Sequence, residues 1–78
     1  MPKIRAIGPY RIFFYSNEGD EPPHVHVEYE DSEAKFWLEP VELARNYGIA
    51  SHRLTRVQSL VKEHQTELLK AWNDYFGG

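Results

Sequence analysis

The first forty residues alternate, and the last thirty do not. "KIRAI", near residues 3–7, is a strand candidate closed by Gly8-Pro9. "YRIFFY", residues 10–15, follows, with Tyr10, Ile12 and Phe14 on one face and Arg11, Phe13 and Tyr15 on the other. "HVHVEYE", residues 24–30, alternates strictly. Val25, Val27 and Tyr29 share one face, and His24, His26, Glu28 and Glu30 share the other. "EAKFWLE", residues 33–39, repeats the alternation, and Pro40 ends it. A hairpin with residues 29 and 34 opposite each other places Val27 on Phe36, Val25 on Leu38, Glu28 on Lys35, His26 on Trp37 and His24 on Glu39. A slip by one residue would put valine and histidine on the same side. "VELAR", residues 41–45, reads equally as an edge strand or as irregular chain.

From Ser51 the period changes. Leu54, Val57, Val61, His64, Leu68, Trp72 and Tyr75 mark one stripe of an amphipathic helix over about 51–75, with Ser51 as its cap, a Glu67–Lys70 pair on its surface and Gly77-Gly78 as its stop. The expected fold is therefore α+β in one domain, residues 1–78: a small antiparallel sheet of three or four strands with one long C-terminal helix on one face. That helix, roughly 36 Å long, would overhang strands reaching only ~23 Å. The overhang carries Trp72, Tyr75 and Phe76, which are expected either to meet a partner or to fold back over the sheet edge near Phe13 and Tyr15.

Composition narrows the possibilities. A chain of 78 residues buries roughly 60–65% of its unfolded surface, so its stability is thin. It has no cysteine, hence no disulfide and no thiolate ligand. No apolar run has the length of a signal peptide or a membrane span, so a soluble cytoplasmic protein is the expectation. The net charge of −3 is blocky: residues 16–43 hold nine acidic groups against the single Lys35, while residues 44–62 hold Arg45, Arg53, Arg56 and Lys62 with no acidic group. A nucleic-acid domain is normally basic overall, which leaves Arg53 and Arg56 as a weak local patch.

The motif "PPHVHV" and the ending "EHQTELLKAW" carry a resemblance. From about Ile12 to Trp72 the chain resembles the small prokaryotic family called domain of unknown function 4160. The resemblance implies a partnered module, some members being labelled toxin–antitoxin-like, and it supplies no catalytic residues.

For the histidine pair the preferred reading is a surface role, the two rings stacking on Trp37 and neighbouring strands, and two chemistries stand as alternatives to it. His24 and His26, at i and i+2, stand ~7 Å apart at Cα on one strand face, a spacing that strand-borne metal sites use. Glu28 or Glu39 would add a carboxylate to a divalent transition metal. A third nitrogen from His52 or His64 would need the helix on the histidine face, and the pattern puts it on the valine face. A metal-free ribonuclease would use the pair as acid and base, but needs Arg11 or Lys35 nearby to hold phosphate in an acidic hairpin. The preferred reading is a non-enzymatic interaction module with no resident cofactor, working with a second small protein or as a homodimer in a toxin–antitoxin-like or regulatory pair. Its contact surface is expected at Trp37, Trp72, Tyr75 and Phe76, on an open face shared with His24 and His26. The alternative is a metal-dependent enzyme or ribonuclease centred on His24 and His26.

Overall fold

The computed structural model describes residues 3–77. Five strands form one antiparallel sheet in sequence order: β1 (Lys3–Ile7), β2 (Tyr10–Phe13), β3 (His24–Tyr29), β4 (Ser32–Leu38) and β5 (Val41–Tyr47). Two helices follow, α1 (Ser51–Glu63) and α2 (Gln65–Phe76). The class is α+β. The three or four strands and single long helix expected from the pattern are corrected to five strands and two helices among the described residues. "VELAR" is the start of an edge strand. Among the described residues no helix is long and apolar enough to cross a membrane.

The period-2 pattern decides the faces. Ile12, Val25, Val27, Ala34, Phe36 and Leu38 have no exposed surface and pack with Val57, Val61 and Leu68 from the helices. Each fully buried aliphatic or aromatic side chain contributes about 1.5–3 kcal/mol of transfer free energy. The hairpin register differs from expectation by two residues: Tyr29 pairs with Ser32, Val27 with Ala34, Val25 with Phe36, His26 with Lys35 and His24 with Trp37. A two-residue shift keeps every side chain on its own face, so the burial pattern is unchanged. The tighter connection is Glu30-Asp31, with Glu30 at φ 52°.

Between β4 and β5 the ladder contains a bulge. Lys35 faces Arg45 while Trp37 faces Glu42, so β5 spends one extra residue there. A bulge re-aims side chains, and this one leaves Glu42 and Arg45 opposite partners on the same sheet face. Beyond β5, Asn46 closes the turn by donating to the Ile49 carbonyl at 2.8 Å and accepting the Ile49 N–H at 2.9 Å.

The helical stripe runs on through a break at His64, whose φ −105° and ψ 16° lie outside the α region. Gln65, just past the break, donates its side-chain N–H to the Leu38 carbonyl at the end of β4. Beyond the break Trp72 is buried against Phe14 at 5.3 Å and Phe76 at 4.3 Å between ring centroids. The terminal aromatics therefore fold back, and their seat is Phe14 rather than Phe13 or Tyr15. Ser51 is the first helical residue; Ala50 stands at the cap position without a side-chain bond. Glu67 reaches Arg5 at 2.7 Å rather than Lys70, which bonds Asp74.

Candidate metal centre

His24, His26 and Trp37 do lie on the sheet face away from α1. That face is not open. The loop between β2 and β3 folds over it, leaving His24 at 0% and His26 at 6% exposure. The loop is two consecutive turns. Ser16-Asn17 form the corner of the first, closed by Glu18 N–H on the Tyr15 carbonyl at 3.2 Å. Gly19-Asp20 form the second, closed by Glu21 N–H on the Glu18 carbonyl at 3.1 Å. These are residue types that turns favour. A Cβ on Gly19 would stand 2.6 Å from the Phe76 ring, so only glycine allows the loop to approach α2 this closely. Lys35 ties the loop to β4 through Glu21 at 2.6 Å. Tyr15 sets its ring edge-on against His26 at 4.8 Å.

The first turn aims Glu18 at the histidines. Its carboxylate accepts the Tyr15 N–H at 3.0 Å and lies 2.9 Å from His24 Nε2 and 3.1 Å from His26 Nε2. Burial pushes the Glu18 carboxyl up, but the Tyr15 N–H and the two imidazoles outweigh that and hold it below its ordinary value. Tyr15 moves the other way: burial first, then Glu33, Glu18 and Glu28, raise its phenol, which keeps its proton.

The outer nitrogens are committed to oxygen acceptors. His24 Nδ1 donates to the Pro22 carbonyl at 2.9 Å, and His26 Nδ1 donates to Glu33 Oε2 at 3.1 Å. A carbonyl oxygen can only accept, so the proton of a neutral His24 ring sits on Nδ1 and its Nε2 lone pair faces Glu18. His26 stands between two carboxylates, Nδ1 at Glu33 and Nε2 at 3.1 Å from both Glu18 oxygens, and with its proton on Nδ1 it turns a second lone pair to Glu18. The His24 Nε2 contact with Glu18 is short, yet its direction is wrong for a hydrogen bond, and this fully buried nitrogen has no hydrogen-bond partner among the described residues. The contact is electrostatic only. Three electron-pair donors, all within 4.8 Å of one another, thus converge with one of them unsatisfied. Ligands about 2.0–2.2 Å from a zinc-type ion stand roughly 3.0–3.5 Å apart. The 2.9 and 3.1 Å separations at Glu18 are close to that range.

Aromatic rings wall the pair. Trp72 stands 4.8 Å from the His24 ring and Trp37 5.6 Å, while Phe13 stacks on His26 at 5.4 Å. A cleft of about 420 Å³ lies against His26 and is lined also by Tyr15, Glu18, Glu33, Lys35, Arg45 and Tyr47.

The remaining candidates lie apart from this group. Glu28 is 3.5 Å from Arg11, and Glu39 is exposed at the β4–β5 turn. His64 is 3.5 Å from Glu67, and His52 is exposed on α1. Arg53 donates to the Tyr10 hydroxyl at 3.0 Å and covers the Tyr29 ring at 4.2 Å, while Arg56 is exposed. Of the expected contact aromatics, Trp72 is buried, Trp37 and Phe76 are half-buried, and Tyr75 is exposed. The carboxylates at the histidines are Glu18 and Glu33, which the pattern analysis missed. The available signal was the loop itself: ten residues between strands, three of them acidic, running directly into "HVH". Loops of that length are often functional.

No curated protein and no solved structure matches the chain. The family model described as Domain of unknown function (DUF4160) matches residues 10–73 of the 78, from the start of β2 almost to the end of α2, and the chain belongs to that family.

Proposed function

We propose that the chain is a small metalloprotein in which Glu18, His24 and His26 bind a divalent transition metal whose free coordination positions face the polar cleft. The carrying observation is the buried, unpartnered Nε2 of His24, aimed at a carboxylate that another imidazole also faces. A proton on that nitrogen would be a buried charge without a well-directed hydrogen bond, which is costly. A metal ion satisfies all three donors at once. Two imidazoles and one carboxylate suit zinc or iron(II) better than magnesium or calcium, which prefer oxygen. Glu33 behind His26 and the Pro22 carbonyl behind His24 act as the outer partners that orient metal-binding imidazoles. Three protein ligands leave at least one position for water or a ligand, the arrangement of catalytic rather than structural sites. Protein purified without a histidine tag is expected to carry close to one equivalent of transition metal by elemental analysis. The double change His24→Ala, His26→Ala should lose it, and His52→Ala should not. Metal retained by the double variant would refute the assignment.

The partner reading rests on a different observation. The outer edge of β5 pairs with no other described strand, and Leu43 and Tyr47 stand 41% and 54% exposed along it. A free edge on a strand of seven residues can accept an added strand. A second small protein or a second copy of this chain, in the toxin–antitoxin-like or regulatory pairing the family resemblance implies, would join there. Light scattering reads it directly: the complex should be lost on Leu43→Lys with the circular dichroism spectrum unchanged. A complex that survives this change would move the contact elsewhere.

A further inference from the structure

We propose that the cleft beside the metal centre seats the tetrahedral oxyanion of a phosphate ester, with Arg45 as its principal protein ligand; this rests on the metal reading above. Four groups around the cleft can donate hydrogen bonds to an anion: the Arg45 guanidinium, the Lys35 ammonium and the Tyr15 and Tyr47 hydroxyls. The β4–β5 ladder sets Arg45 opposite Lys35, one strand further from His26. Lys35 is occupied by Glu21 and lies over the Trp37 ring at 4.7 Å. Arg45 makes no ion pair among the described residues, and its planar fork matches two oxygens of a phosphate. A carboxylate has only two oxygens, too few to engage the fork, the phenols and a metal together. A phosphate monoester has three non-bridging oxygens, enough for all three, whereas a phosphodiester has two and must add an ester oxygen.

Charge makes the seat conditional. Among the lining residues Glu18 and Glu33 balance Lys35 and Arg45, and Glu21 tips the neighbourhood negative. The metal-free cleft therefore repels an anion. A divalent ion on Glu18, His24 and His26 reverses the sign, because a bound cation is the largest local charge. Metal and phosphate are thus linked, and each tightens the other by the same factor.

Cobalt(II) makes both events visible. The cobalt-loaded protein is titrated with inorganic phosphate, phenyl phosphate, a dinucleotide phosphodiester and acetate, following the visible spectrum. Phosphate and at least one ester are expected to perturb the cobalt bands at millimolar concentration, with acetate weaker. The phenyl phosphate and dinucleotide arms distinguish a small monoester from a nucleic-acid backbone as the natural source. Arg45→Ala should weaken phosphate by about tenfold or more, with the ligand-free cobalt spectrum unchanged and Arg45→Lys intermediate. A cobalt spectrum that phosphate leaves untouched, or that responds equally in Arg45→Ala, overturns the anion seat and leaves the metal centre standing. Absence of any cobalt spectrum overturns both.

Discussion

Zinc at about a hundred times its dissociation constant is expected to raise the melting temperature by roughly 10–20 °C. The size follows from mass action. A ligand that binds only the folded chain stabilises it by about 2.7 kcal/mol at that concentration. In a domain of this size each kcal/mol moves the midpoint by about 4–8 °C. The unfolded chain keeps little affinity, since Glu18 is brought to the histidines only by the two turns of its loop. His24→Ala should abolish the upshift. Glu33→Gln should reduce it by weakening metal about 10–100-fold, as loss of an outer partner does, because a neutral amide holds the His26 Nδ1–H less firmly. His52→Ala, exposed on α1, serves as the control and should retain it. Scanning calorimetry with zinc, cobalt and magnesium reads all of this. An equal upshift in His24→Ala, or none with any transition metal, would sink the metal centre.

The increment matters more than the starting stability. The same cluster without metal holds the loop through the His24 contact with the Pro22 carbonyl and the His26 contacts with Glu18 and Glu33, and changing either histidine destabilises the apo protein as well. A purely electrostatic cluster gives no metal upshift. A metal centre gives one on top of whatever the apo variant has lost.

Strand faces were legible in the sequence because their period is two and the aliphatic side chains gather on one of them. Val25, Val27, Phe36 and Leu38 had to share a face, and they do. The register was not legible for the same reason: pairing Tyr29 with residue 34 or with Ser32 leaves every residue on its own side. The choice falls to the turn, where Glu30 adopts positive φ. Nor does a helical stripe report its own break. Val57, Val61, Leu68 and Trp72 keep their spacing through His64, while the docking of α2 comes from Gln65 on the β4 carbonyl and Trp72 on Phe14. The candidate site divides along the same line. "HVH" was visible as two imidazoles on one face. That Glu18 supplies the carboxylate depends on a loop folding back across the sheet, which no local periodicity encodes. The burial of His24 was hidden too, because its cover comes from Trp72, forty-eight residues away.

Trp72→Ala is expected to lower stability by about 3–5 kcal/mol, the usual cost of emptying a large aromatic site, and the melting temperature by at least ~12 °C. Trp72 is 4% exposed and touches Phe14, Phe76 and His24, so its removal opens the end of the sheet and takes one wall from the metal centre together. A chain this small has little stability in reserve, and partial unfolding at 37 °C is the expected outcome. Trp72→Phe keeps a ring against Phe14 and should recover much of the loss. Leu68→Ala separates the two effects. Leu68 is fully buried in the main core away from the histidines, and its loss costs a comparable 2–5 kcal/mol. The Leu68 variant should keep the full zinc upshift, whereas Trp72→Ala, measured at a temperature where it is still folded, should bind zinc more weakly because the His24 ring is free to turn. Chemical denaturation with and without zinc separates stability from affinity. A Trp72→Ala protein that melts within a few degrees of the parent would mean that the end of α2 does not dock on Phe14 and His24. Equal zinc affinities in the two variants would mean that Trp72 packs beside the centre without holding it.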